Sequence, residues 1–145
     1  MKVLVATDGS ECARHAIAEA KRLLALKDAE VHVVSVAPLP PVALDVMAPG
    51  AVVSPESLKL LRREVEANLQ EARDALETDR LRVTTHVREG DPAAEVVHAA
   101  EEIRPDVVVV GSRGRGALAR WALGSVSTAL VHHWRGPVLV VRNGD

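Results

Sequence analysis

The sequence has almost no aromatic residues and carries little net charge. Its 145 residues include two Trp, no Phe and no Tyr, so it lacks the rings on which nucleic-acid-binding proteins stack exposed bases. A formal net charge of −2 provides no basic face for a phosphate backbone. We therefore expect no direct nucleic-acid partner.

Cysteine is almost absent too. The single Cys12 excludes an intramolecular disulfide and a metal site built from several cysteines. The chain begins directly with a short apolar strand instead of a signal peptide, and no stretch suggests membrane binding. These features predict a cytoplasmic protein, and the length fits one domain over residues 1–145.

Two common functional motifs are missing. No G-x-x-x-x-G-K-[ST] pattern is present, which argues against a P-loop NTPase. No H-E-x-x-H or comparable ligand spacing is present, and His132 and His133 are adjacent in sequence instead of one helical turn apart. We expect all six histidines to be structural or solvated, and no metal ion to be bound directly by the protein.

Strand patterns alternate with helix patterns along the chain. Ser10, Ser54 and Asp91 are suitable helix N-caps, and a fourth helix pattern begins near Gly124. This alternation predicts a doubly wound α/β sandwich of three layers around a five-stranded parallel sheet. Placing the most apolar strands at the centre gives the order 3-2-1-4-5. The predicted strands are Lys2–Ala6, Glu30–Ala37, Leu81–Arg88, Val107–Val110 and Val138–Val141.

The two outer strands differ in character. Leu81–Arg88 alternates apolar and polar residues, as expected at a sheet edge with one wet face. Val138–Val141 is entirely apolar, and an apolar edge strand is an aggregation hazard unless it is covered. We therefore predict a homodimer paired through Val138 to Val141. Residues Leu39 to Val53 contain prolines, are apolar and have no period, so they predict a long loop.

A glycine-rich stretch follows the fourth strand. Gly111 is followed after two residues by Gly114 and after nine more by Gly124-Ser125, where the last helix pattern begins. Glycine lets backbone N–H groups approach an anion, and a helix N-terminus offers further unpaired N–H donors. The stretch predicts a nucleotide phosphate site, with Arg113 as a possible charged contact or simply an exposed side chain.

Other interpretations of these glycines remain open. Gly114-x-Gly116-x-x-Ala119 fits a relaxed dinucleotide fingerprint, but the acidic residue needed about twenty positions on is missing, since no Asp or Glu follows before Asp145. A second alternative is a turn that only links a strand to a helix. Asp8 ends the first strand, where open α/β sheets bind ligands, and it suits either ligand contact or a local Asx turn.

The Gly-2x-Gly-9x-Gly-Ser spacing is similar to the ATP-binding signature of the universal stress protein family. The start of the chain, with Thr7-Asp8-Gly9-Ser10, and its end, with Gly136-Pro137, also resemble that family. The resemblance implies a nucleotide-binding α-hydrolase-like fold that binds ATP, in which Asp8 contacts ATP through its ribose or through a Mg²⁺ ion carried on the phosphates. It also implies the contact residues Ala6, Thr7, Asp8, Val36, Val110, Gly111, Arg113, Gly114, Gly124, Ser125, Val126 and Ser127.

Two functions of different kinds follow. The first is a binding module in which ATP occupancy regulates a partner or a protective response. The second is a slow ATP hydrolase, but hydrolysis needs a positioned water or general base, and the sequence offers no obvious candidate in the crevice except Asp8. A structural dimer that binds no nucleotide is a third, weaker hypothesis, and no catalytic residue is assigned.

Overall fold

The computed structural model describes residues 1–39, 54–115 and 122–143. Strands and helices alternate through these residues. The strands are β1 (Lys2–Ala6), β2 (Ala29–Pro38), β3 (Leu81–Gly90), β4 (Val107–Gly111) and β5 (Val138–Val141), and the helices are α1 (Glu11–Leu24), α2 (Pro55–Leu76), α3 (Pro92–Ile103) and α4 (Ser125–His133). Apart from Leu39, the predicted loop Leu39 to Val53 lies outside the described residues.

The strands form one parallel sheet in the order β3-β2-β1-β4-β5, which confirms the predicted order. Val3 of β1 is paired with Val31 of β2 on one side and with Val107 of β4 on the other. β1 and β4 are therefore central strands, and their apolar residues are covered on both faces of the sheet.

Alternate residues of the strands pack into two separate cores. Val5 and Val33 contact the first core together with apolar residues of α1 and α2, whereas Leu4 and Val108 contact the second together with residues of α3 and α4. Successive strand residues point to opposite faces, so each central strand contributes to both cores. Each fully buried Leu or Val contributes about 1.5–3 kcal/mol by leaving water.

The predicted helix starts are confirmed by their caps. The side chains of Ser10, Ser54 and Asp91 accept backbone N–H groups from the first turns of α1, α2 and α3. In contrast, α4 begins after Gly124 without a side-chain cap among the described residues. In the first turn of α4, no side-chain cap among the described residues accepts a backbone N–H, whereas each of the other three helices has one such cap.

The edges of the sheet have the predicted contrast. β2 and β3 are longer than predicted because they continue to pair with each other beyond the end of β1, as far as Pro38 and Gly90. β3 alternates buried and exposed residues from Leu81 to Thr84 as predicted, but farther along Val87 is exposed while His86 and Arg88 are half-buried. All four residues of β5 are half-buried. No helix in the described parts of the chain is long and apolar enough to cross a membrane.

Candidate functional site

A cavity of about 670 Å³ opens at the carboxyl ends of β1 and β4. The strand order changes direction between these two strands, which is where open α/β sheets bind ligands. The volume is within the range of small-molecule sites. All twelve residues proposed from the sequence line this cavity, namely Ala6, Thr7, Asp8, Val36, Val110, Gly111, Arg113, Gly114, Gly124, Ser125, Val126 and Ser127.

Asp8 connects two loops at the mouth of the cavity. Its Oδ1 accepts the backbone N–H of Ser10 at 2.9 Å, which is the local Asx-type turn. Its Oδ2 accepts the backbone N–H of Arg115 at 3.0 Å. A carboxylate has about four acceptor positions, so these two hydrogen bonds leave capacity for a further donor. Asp8 thus makes the turn and also lines the cavity.

The glycines of the loop serve two different purposes. A Cβ on Gly111 would lie 2.8 Å from the backbone carbonyl carbon of Cys12, so Gly111 allows α1 to pack closely on β4. A Cβ on Gly114 would lie 2.6 Å from Oδ2 of Asp8, inside the cavity mouth. Only Gly114 is therefore needed to keep the loop close to Asp8, whereas the main constraint on Gly111 is packing.

The start of α4 is tied to the same loop. The carbonyl oxygen of Ser112 accepts the backbone N–H of Gly124 at 2.7 Å and the hydroxyl of Ser127 at 3.2 Å. The Ser127 hydroxyl also lies 3.0 Å from the carbonyl of Gly124, and the side chain is buried. Its single hydrogen is thus directed to backbone oxygens, so Ser127 acts here as a structural tie. Ser125 is exposed in the first turn of α4, where side-chain caps are lacking among the described residues.

α2 forms one side of the cavity, which the sequence did not predict. Leu61, Glu64, Val65 and Asn68 line the cavity. In the sequence, Leu61 and Val65 belong to an apolar stripe along α2, and none of the four was predicted as a site residue. Glu64 forms an ion pair with Arg115 of the glycine loop. A signal was present, because Glu64 and Asn68 lie four residues apart at the margin of the apolar stripe.

Charged groups of both signs line the cavity. Asp8 and Glu64 contribute carboxylates, and Arg113 and Arg115 contribute guanidinium groups. Arg113 is half-buried and makes no hydrogen bond or ion pair with another described residue. Within the described ranges, no group of three or more His, Cys, Asp or Glu side chains is placed to hold a metal ion. The loop residues beyond Arg115, including Arg120, lie outside the described residues up to Trp121.

Comparisons with known proteins agree with this architecture. The model of the universal stress protein family matches residues 1–142. The chain is 34% identical to universal stress protein MJ0531 of Methanocaldococcus jannaschii, covering 97% of this chain and 81% of that protein. It is 32% identical to universal stress protein YxiE of Bacillus subtilis, covering 97% and 98% of the two chains.

Solved structures share the fold. Hypothetical protein MJ0577 superposes with a TM-score of 0.81 at 27% identity, covering 99% of this chain and 96% of that one. A universal stress protein in complex with cAMP has a TM-score of 0.67 at 24% identity, with 99% and 98% of the chains covered. A family protein from Arabidopsis thaliana with AMP bound has a TM-score of 0.61 at 20% identity, with 99% and 92% covered. The family match spans nearly the whole chain, and this chain therefore belongs to the universal stress protein family.

Proposed function

We propose that this protein is a cytoplasmic ATP-binding module whose nucleotide occupancy regulates a partner or a stress-protection response. The observation that carries the proposal is that the glycine turn after β4 and the uncapped N-terminus of α4 line one cavity. Both present backbone N–H groups, which are suited to an anion. The single Cys12 is buried and unpaired, as expected in a reducing compartment.

The apolar part of the cavity suits a nucleoside. Ala6, Val36, Val110 and Val126 line it, together with the buried side chain of Thr7. By family resemblance, the backbone of Val36 at the end of β2 would contact the adenine ring. Two proteins of the same fold hold AMP and cAMP, which supports the view that this fold accommodates an adenine nucleotide.

The polar part of the cavity suits phosphates. Gly114 and Ser125 would donate backbone N–H groups, and Arg113 would add a charge-assisted hydrogen bond, whereas the N–H of Gly124 is already donated to the carbonyl of Ser112. The Ser125 hydroxyl is a further donor at the start of α4. Asp8 keeps acceptor capacity beyond its two backbone partners, so it is the residue that would meet the hydration shell of ATP-bound Mg²⁺.

A slow ATP hydrolase is the second candidate, and one observation favours it. The structure brings the carboxylate of Glu64 into the cavity, where the sequence suggested only Asp8. A general base must reach the water that it activates. Glu64 is paired with Arg115, however, so its carboxylate is engaged by a cation in this conformation. We therefore favour binding over hydrolysis.

One experiment separates these candidates. Freshly purified protein is denatured, released nucleotide is identified by chromatography, and the stripped protein is then incubated with ATP and Mg²⁺ for several hours. A binding module releases or retains intact ATP, whereas a hydrolase produces ADP in proportion to protein concentration. ADP formation that is lost in a Glu64→Gln variant would establish the hydrolase and overturn the preference for binding.

We also propose that the protein is a homodimer paired through Val138 to Val141. β5 pairs only with β4 among the described strands, so its second edge carries backbone groups without a strand partner there. Its four residues are only half-buried within one chain. Pairing with a second copy would cover both the backbone edge and this apolar surface.

A further inference from the structure

An ion pair joins the two walls of the candidate nucleotide cavity. Arg115 belongs to the glycine loop after β4, and Glu64 lies in the third turn of α2. The Arg115 guanidinium donates a hydrogen bond to the Glu64 carboxylate. Both residues line the cavity. One of the two guanidinium groups that line the cavity is thus already paired with an anion of the protein itself.

The backbone of Arg115 is held independently of its side chain. Its N–H donates to Oδ2 of Asp8 at 3.0 Å, so the loop stays next to the end of β1 whichever partner the guanidinium takes. The side chains of Arg115 and Glu64 are 52% and 45% exposed. The guanidinium can therefore exchange partners by side-chain rotation, without breaking the contact of the loop with Asp8.

The ion pair is weak enough for the Arg115 guanidinium to exchange Glu64 for another anion. Ion pairs between exposed side chains contribute only about 0–1 kcal/mol, because water and salt screen the charges. A phosphate carries more charge than a carboxylate and offers more acceptor oxygens to a guanidinium. A phosphate group near the glycine turn would therefore compete effectively with Glu64 for Arg115.

We propose that Glu64 determines specificity and affinity at this site by competing with nucleotide phosphate for Arg115. This inference rests on the proposed function, because it concerns the same cavity. Glu64 lowers the affinity for phosphorylated ligands, since they must displace it from Arg115. It leaves the affinity for the unphosphorylated nucleoside unchanged.

The test is a calorimetric titration of wild-type protein and variants with ATP and with adenosine. Glu64→Gln keeps the size of the side chain and removes its charge, so ATP affinity should rise about two- to fivefold, as expected for loss of an exposed ion pair. Adenosine affinity should not change. Arg115→Gln should lower ATP affinity by about tenfold through loss of a charge-assisted hydrogen bond.

Two further variants isolate the mechanism. In the double variant Glu64→Gln with Arg115→Gln, the gain from Glu64→Gln should vanish, because Glu64 acts only through Arg115. The control is Glu71→Gln, which removes the same charge from the same helix but breaks an ion pair with Arg14 outside the cavity. ATP affinity of this control should equal that of the wild type.

Several results would overturn the inference. If Glu64→Gln raises ATP affinity equally with and without Arg115, Glu64 repels phosphate directly. If ATP affinity is unchanged or reduced in Glu64→Gln, Glu64 does not compete with phosphate. In these cases ATP binding by the wild type leaves the proposed function standing. If wild-type protein binds neither ATP nor adenosine, the proposed function fails and this inference fails with it.

Discussion

The carboxylate of Asp8 accepts the backbone N–H of Arg115 at 3.0 Å, across 107 positions of sequence. The same carboxylate accepts the N–H of Ser10 at 2.9 Å. One short side chain therefore fixes the turn after β1 and also the glycine loop after β4. This relationship explains how two distant segments, each at the end of a central strand, form a single cavity mouth.

Asp8→Asn should weaken this connection. An asparagine has one carboxamide oxygen where aspartate has two, so one backbone N–H would face an NH₂ group and lose its acceptor. A hydrogen bond of this kind contributes about 0.5–1.5 kcal/mol. The substitution also removes the carboxylate that would face the hydration shell of ATP-bound Mg²⁺, so ATP affinity in the presence of Mg²⁺ should fall about tenfold or more. The affinity measured without Mg²⁺ should fall less.

The matched control is Asp106→Asn. Asp106 also accepts a backbone N–H, from Lys2 at 2.7 Å, but it lies at the opposite end of the sheet. Its substitution should leave ATP affinity unchanged. If Asp8→Asn lowers ATP affinity equally with and without Mg²⁺, Asp8 does not act through Mg²⁺. It then contacts the sugar of the nucleotide or only stabilises the turn.

The two glycines of the loop should respond differently to substitution. Gly111→Ala would place a methyl group 2.8 Å from the Cys12 backbone, so α1 must shift and the free energy of unfolding should fall by about 1–3 kcal/mol. Among the described residues, a Cβ at position 114 would meet only the side chain of Asp8. Gly114→Val therefore disturbs the exposed hydrogen bond between Asp8 and Arg115 but not the packing of α1, and it should affect stability less. Chemical denaturation of both variants measures this difference. A larger loss of stability in Gly114→Val would contradict the assigned roles.

Stability should also decrease in mildly acidic solution. Burial lowers the pKa of His86, and the charges of His32 and Arg88 lower it further, while Glu102 acts in the opposite direction. Because the folded-state pKa lies below the ordinary value of about 6.5, the unfolded chain binds a proton first as pH falls. The free energy of unfolding should therefore decline as pH is lowered through about 6.5 and continue to decline down to the folded-state pKa.

A substitution at His86 isolates this contribution. In wild type, His86 Nε2 lies 2.8 Å from Nδ1 of His32, and the two rings stack. His86→Gln should have a smaller decline in stability between pH 7 and pH 5, measured by urea denaturation. His98→Gln, which changes an exposed histidine on α3, is the control and should keep the wild-type decline. Identical profiles for all three proteins would remove His86 from this account.

The proposed dimer can be tested at the outer edge of β5. The carbonyl of Pro137 accepts the N–H of Val108 in β4, and the carbonyl of Val141 accepts the N–H of Ser112 just after β4. Backbone groups of successive strand residues point to opposite sides, so the N–H of Val140 points away from β4. Val140→Pro removes that outward N–H and should convert the dimer to a monomer. Val140→Thr keeps the N–H and should remain dimeric. Light scattering across a range of concentrations decides between them, and a monomeric wild type would rule out the dimer.

Much of the fold followed from local sequence signals. The apolar runs of β1 and β4 and the caps Ser10, Ser54 and Asp91 each depend on neighbouring residues, and the structure confirms them. The alternation predicted for β3 is confirmed only from Leu81 to Thr84. The glycine loop and Asp8 could be placed together because the strand order brings the carboxyl ends of β1 and β4 to the same crevice.

The remaining features depend on tertiary packing. The spacing of Glu64 and Asn68 places both beside the apolar stripe of α2, but their reaching the cavity depends on how α2 lies across the sheet relative to the glycine loop. The tie between Ser127 and Ser112 likewise depends on the path of the chain between β4 and α4. The extra length of β2 and β3 arises from their mutual pairing, which no local pattern specifies.

The most direct test of the central claim is calorimetric titration of the stripped protein with ATP and Mg²⁺, next to the Gly114→Val variant. A branched side chain at position 114 would displace Asp8 and occupy the space where a phosphate would meet the loop backbone in the proposed site. We predict saturable, one-site binding by the wild type and its loss in a variant that remains folded by circular dichroism. Absence of binding at millimolar ATP, or equal affinity in the two proteins, would contradict the assignment of this cavity as the nucleotide site.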